Sequence, residues 1–267
     1  MGYTIESGLT LAAPSYPGGI IFGDQSEPIQ RWYEQSSTQS YEPGTLLIYG
    51  DGRKYRYAYD SGSGITKARI AVGASQEAKI IGETQSTSGT SVEIGDQEIV
   101  VDITTASALP ENDLQQGRLT VNTGTGIGDS YKILANKVQS TDTLMNVLLE
   151  TPILTAWAAD TVIDMVRNPW YKTLVFPTSG HGNMAVGVAP ITVSAGYWYW
   201  AQTGGLASVI QDADDTIVVG EPAGKPGTHG TAGGIGLVAN DGTDAVWGVT
   251  VVAAGTAKVS TIWLTID

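Results

Sequence analysis

The chain has 267 residues, 42% of them hydrophobic, with no Cys and a formal net charge of −13. The missing thiols exclude disulfides, Cys nucleophiles and Cys-ligated zinc or iron–sulfur centres, and the acidic balance argues against nucleic acid as a partner. Charged residues make up 15% of the chain, below the roughly 25% of an ordinary globular protein, which points to a molecule that buries surface in an assembly.

No apolar run approaches the roughly 20 residues of a membrane span. Met1–Thr10 has neither the basic nor the apolar region of a signal peptide. Residues 1–45 read as an extended N-terminal arm. Pro14, Pro17, Pro28 and Pro43 interrupt it, and its apolar residues stand in separate groups, Ile20–Phe22 and then Trp32 with Tyr33. Spaced anchors of this kind suit an arm laid across a partner, so Trp32 and Tyr33 are candidate contacts. Pro28–Gln35 is a candidate short helix.

Residues 46–175 read as a β-rich middle domain. It opens on the basic cluster Arg53, Lys54 and Arg56. On a strand, Arg53, Tyr55 and Tyr57 point one way and Lys54 and Arg56 the other. Arg53 and Arg56 are candidate contacts for an acidic neighbour; the plainer alternative is a solvated strand with local ion pairs. Thr84–Ser91 reads as a loop introducing strands near 91–95 and 97–104. Leu119–Val121 and Tyr131–Ile133 read as a hairpin joined through Gly124, Gly126 and Gly128. The spacing there is GxGxG followed by a strand, not the GxGxxG-plus-helix of a dinucleotide loop. Thr143–Leu149 and Leu154–Met165 are further candidate helices, and Asn168-Pro169-Trp170 marks a turn.

Residues 176–267 read as a β-sandwich or barrel. Thr216–Val219 and Ala245–Val252 are its strand signals, with Glu221–Gly236 as a flexible glycine-rich loop. Seven acidic and two basic residues leave this segment at net −5, which implies a solvated outer surface. Asp212, Asp214 and Asp215 form an acidic turn whose spacing does not match a calcium loop. His181 stands between Gly180 and Gly182 and His229 lies in the glycine-rich loop, so no catalytic, metal or cofactor set is assigned. Tyr197–Trp200 alternates on a strand: Tyr197 and Tyr199 share one face and are candidate subunit or partner contacts, while Trp198 and Trp200 face the core. The sharper alternative is a carbohydrate platform, a glycan- or receptor-binding module. The fold class is therefore all-β: β-sandwich or barrel domains with an extended N-terminal arm and few short helices.

Several strings in order resemble a group of tailed-phage virion proteins: Gly52–Ala58 (GRKYRYA), Gly117–Ile133 (GRLTVNTGTGIGDSYKI), Val186–Gly204 and Trp263–Asp267 (WLTID). These look like the structural proteins found beside the major capsid protein, of the decoration or cement type. The resemblance covers about residues 50–267 and is weakest over the arm. It implies a non-enzymatic protein made in the host cytoplasm and carried on the capsid exterior. Its implied partners are the major capsid protein and further copies of itself, a dimer or trimer, with no nucleic acid, membrane or cofactor.

Overall fold

The computed structural model describes residues 16–24, 27–74, 83–85, 91–103, 109–138, 144–178, 184–225, 230–238 and 245–267, with the backbone alone at 83–85. Its described elements are strands, so the all-β class holds. They fall into two compact units, Ser75–Asn168 and, around it in sequence, Tyr16–Ala74 with Pro169–Asp267.

Ser75–Asn168 forms a six-stranded closed barrel. In chain order its strands are β5 (Glu83–Gln85), β6 (Glu98–Asp102), β7 (Arg118–Thr123), β8 (Ser130–Val138), β9 (Leu144–Leu149) and β10 (Val162–Val166). Around the barrel they run β10-β5-β6-β9-β8-β7, and β7 pairs back onto β10. Alternate residues point inward, as the period of two requires. Leu119 lies opposite Tyr131 and Ile99 opposite Val147, all inside one core with Ile133, Met145 and Met165. The β7–β8 hairpin is the one its sequence announces. Gly124, Gly126 and Gly128 have φ of 87°, 85° and 91°, a region that residues with a Cβ enter only at a cost.

The other unit is an 11-stranded sheet. Its early strands are β1 (Ile20–Phe22), β2 (Leu46–Ile48), β3 (Lys54–Tyr59) and β4 (Ile70–Val72). After the barrel come β11 (Leu174–Val175), β12 (Ala185–Val188), β13 (Trp198–Ile210), β14 (Pro222–Gly224), β15 (Gly236–Leu237), β16 (Val246–Val252) and β17 (Val259–Thr265). The main path is β1-β2-β3-β13-β17-β16-β14-β15, with β4, β11 and β12 on a branch. The barrel is thus inserted between β4 and β11, which pair antiparallel with Leu174 opposite Val72.

β13 organises the sheet unit. Over Trp198–Ala201 it is buried on both faces. Trp198 and Trp200 pack with Tyr41, Tyr55 and Tyr57, and Tyr199 and Ala201 with Ala58, Ile65 and Val186. A register shift between Gln202 and Gly204, with Gly205 at φ 78°, changes its surroundings. A Cβ on Gly205 would stand 2.7 Å from the Gly52 carbonyl oxygen. Beyond that point the strand is buried on one face only: Ala207 and Val209 enter the core, while Leu206 and Ser208 are exposed.

Several expectations are corrected. The three candidate helices do not form: 28–35 is turns, Leu144–Leu149 is β9, and Val162–Val166 is β10. Thr84 and Gln85 belong to β5 and no strand covers 91–95, because the chain turns there, with the Glu93 N–H held by Asp96 Oδ2 at 2.8 Å. Thr216–Val219 has strand composition but no ladder partner; Ile217 is buried while Val218 and Val219 are exposed. Pro222–Gly224, read as flexible loop, pairs as β14 with β15 and β16. The divisions at 45 and 175 give way to divisions at 74 and 168, since a contiguous reading cannot see an insertion. The described part of the arm is not a free extension. Gln30 is buried; its Nε2 donates to the Glu34 and Trp198 carbonyls, and its Oε1 accepts from the Tyr57 hydroxyl at 2.7 Å.

Candidate functional site

Three of the six predicted contact residues, Trp32, Tyr33 and Arg53, meet in one aromatic cluster of the sheet unit. Trp32 lies at a turn, its ring stacked on Tyr55 at 5.8 Å and met edge-on by Tyr33 at 5.3 Å. Arg53 enters from the start of β3. Its guanidinium lies 5.3 Å from the Trp32 ring centroid and 5.1 Å from that of Tyr49. Nε donates to Asp51 at 2.6 Å and Nη1 to the Tyr55 hydroxyl at 3.2 Å. Arg53 is therefore a wedge between aromatic rings rather than a loose surface charge. Tyr49 is a member of this group that the sequence reading missed.

Trp32 lines two cavities. One, of about 420 Å³, is bounded by Asp24, Glu27, Arg31, Tyr33 and Tyr49. Its charges are matched internally: Arg31 pairs with Glu27, and an Asp24 oxygen accepts the Gly50 N–H. The other, of about 610 Å³, runs along β13. Its apolar wall includes Trp32, Val188, Pro190, Leu206 and Val259, and its polar groups include Arg53, Thr66, Lys67 and Ser208. The Gln202 amide closes one side by donating to the Gly204 and Leu206 carbonyls.

The remaining predicted contacts lie elsewhere. Arg56 is on the opposite face of β3 from Tyr55 and Tyr57 and is committed to Asp267, at 2.5 Å from Nε and 3.0 Å from Nη2. Lys54 donates to the Asp267 main-chain oxygen. The basic cluster is thus paired internally, as the plainer alternative has it. Tyr197 is half-buried against the Tyr199 cluster. Tyr199 is fully buried, its hydroxyl 3.1 Å from that of Thr173, so it offers no surface to a partner. Burial also pushes its hydroxyl pKa upward. Trp198 and Trp200 are buried too, the latter donating Nε1–H to the Gln30 carbonyl at 2.7 Å. A sugar-stacking platform at Tyr197–Trp200 has no exposed indole ring to use.

The acidic turn is structural. Asp212 is buried and accepts backbone N–H bonds from Asp214, Gly230 and Thr231, and Asp215 accepts from Thr216 and Leu237. Asp212 and Asp215 thus cap loops, while Asp214 is exposed. No group of three or more His, Asp or Glu among the described residues is arranged to hold a metal. His181 and His229 lie outside the described residues.

One exposed apolar feature of the sheet is not revealed by the sequence. Leu206, Trp263 and Val249 stand in register on β13, β17 and β16, and Pro222 of β14 is opposite Val249. Leu206, Trp263 and Val249 are 50%, 43% and 41% exposed. The next residues, Ala207 and Ile262, face the core, so this row is the outward side of a sheet whose other side is filled.

Comparison of the chain with protein-family models, with curated proteins and with solved structures returns no match.

Proposed function

We propose that this chain is a non-enzymatic decoration protein of a tailed-phage capsid. It binds the outer surface of the shell formed by the major capsid protein, as a homo-oligomer, and stabilises the head. The ordered sequence resemblance sets the class. The observation that carries the reading is the apolar row Leu206–Trp263–Val249–Pro222 across four hydrogen-bonded strands. Contiguous exposed apolar side chains on a rigid scaffold are the mark of a protein–protein contact. A repeated shell suits such a contact, because many modest interfaces engaged together hold far more tightly than one. Arg56, paired within the chain, is not part of this docking face, and neither is Tyr199.

Co-sedimentation with expanded capsids of the parent phage tests the reading. The unmodified protein pellets with the shells and raises the temperature at which they release DNA. Trp263→Asp places a charge in the centre of the row and abolishes pelleting, while its circular dichroism stays unchanged. A protein that does not pellet, or a Trp263→Asp variant that pellets as well as the parent, overturns it.

A further inference from the structure

The 610 Å³ cavity along β13 has a composition at odds with the chain that forms it. In a protein of net charge −13, its lining contains Arg53 and Lys67 and no Asp or Glu. Lys67 is exposed and forms no ion pair with another described residue. Arg53 uses Nε on Asp51 and Nη1 on Tyr55, which leaves Nη2 with no hydrogen bond to a described residue. Against these donors stand Trp32, Val188, Pro190, Leu206 and Val259. An apolar wall with a few convergent polar groups, in a volume between about 300 and 1,000 Å³, is the usual form of a small-molecule site.

We infer that this cavity binds a small amphipathic anion, an apolar chain or ring bearing a single carboxylate. The apolar body replaces water against Trp32, Pro190, Leu206 and Val259. The carboxylate accepts from Lys67 Nζ and Arg53 Nη2, charge-assisted bonds that are stronger than neutral ones. A cation is disfavoured there, since the lining has no carboxylate to receive it and the Trp32 ring is already engaged by Tyr55 and Arg53. The 420 Å³ cavity differs on this point, because it holds Asp24 and Glu27. This inference does not rest on the capsid reading: a decoration protein and an unrelated binding module would carry the cavity equally.

Isothermal titration with decanoate, 1-decanol and decyltrimethylammonium tests it. Decanoate binds saturably with one site per chain, decanol about tenfold or more weaker, and the ammonium compound not measurably. Lys67→Glu weakens decanoate by about tenfold or more and leaves decanol unchanged. Ser208→Trp, at an exposed position facing the cavity, fills it and abolishes both. Both variants keep the parent's melting temperature, which separates loss of the site from loss of the fold. No saturable decanoate binding, equal binding of the ammonium compound, or an unchanged affinity in Lys67→Glu overturns the proposal.

Discussion

The two units solve the same problem, burying a β-sheet's apolar face, in opposite ways. The barrel closes on itself, so no strand edge is left to pair with another chain. Its core is largely aliphatic, built from residues such as Ile99, Val101, Leu119, Ile133, Val147 and Met165, with Tyr131 and Trp157 as the aromatic members. The sheet unit stays open, with β1 at one end of the path and β15 at the other. Its aromatic cluster of Tyr41, Tyr55, Tyr57, Trp198 and Trp200 anchors the segment around Gln30 through hydrogen bonds as well as area. Every recognition feature described above belongs to this second unit. Closure uses the strand-edge hydrogen-bonding capacity that an open sheet keeps available.

The largest expected effects separate the two cores. Trp200→Ala removes a fully buried indole and leaves the Gln30 carbonyl without its donor, at a cost of about 3–5 kcal/mol. Asp113→Ala removes the carboxylate that accepts from Arg167, whose side chain is 3% exposed and whose Nε and Nη2 lie 2.8 and 2.5 Å from Asp113 Oδ2. Removing one partner of a buried ion pair also costs about 3–5 kcal/mol. Denaturant unfolding followed by fluorescence can assign each loss, since Trp157 is the one tryptophan within 75–168. Trp200→Ala shifts the transition seen by the other tryptophans, and Asp113→Ala the one seen by Trp157. If both substitutions move one common transition by equal amounts, the two units are a single cooperative structure and the comparison fails.

The parts of this fold legible in the sequence were those written in one strand or one hairpin. Tyr55 and Tyr57 alternate with Lys54 and Arg56, and the structure buries the first pair while leaving the second partly exposed. The hairpin around Gly124–Gly128 is announced by turn residues between two alternating runs. What failed needed information from distant residues. LMNVLL in β9 reads as helical because a strand covered on both sides loses its period of two. The insertion is invisible because β4 and β11 become partners only after the whole barrel has been traversed. Gln30 resembles any polar residue of a loop until Tyr57 and Trp200 arrive beside it. The exposed row has one residue on each of four strands, so no local pattern encodes it. The acidic count of the C-terminal segment hides a related division, because Asp212 and Asp215 cap loops while Asp214, Glu221 and Asp267 are exposed.

Alkali sharpens the contrast at the level of whole units. Burial raises the Tyr55 and Tyr57 hydroxyl pKa values to about 12, and raises Tyr199 as well. Each folded pKa lies above the unfolded value near 10. The stabilisation is therefore complete below about pH 10 and is lost as pH rises through about 12, because the unfolded chain releases protons that the folded one retains. Tyr131, also raised, is the one tyrosine within 75–168. Stability measured from pH 9 to 12 falls first and most steeply in the sheet transition, with the tyrosinate absorbance of Tyr55 and Tyr57 appearing together with unfolding. Titration of Tyr55 and Tyr57 near pH 10 without unfolding would show that the aromatic core admits water.

The smallest effect concerns whether the basic strand is a surface or a brace. Arg56 and Asp267 have side chains 23% and 29% exposed, and the guanidinium also donates to the Gly44 carbonyl and lies over the Trp170 ring at 5.2 Å. Partial exposure lets solvent screen the pair, so Arg56→Gln costs about 0.5–1 kcal/mol. The cost shrinks further in 1 M salt, where the screening length falls to about 3 Å. Asp267→Asn costs less, since it leaves the Gly44 and Trp170 contacts of Arg56 in place, and the double variant is no worse than Arg56→Gln alone, because the pair is lost only once. Capsid co-sedimentation of Arg56→Gln stays at the parental level. Reduced pelleting with unchanged stability would instead place Arg56 at the partner's surface, and the open sheet would then recognise its partner by charge as well as by its apolar row.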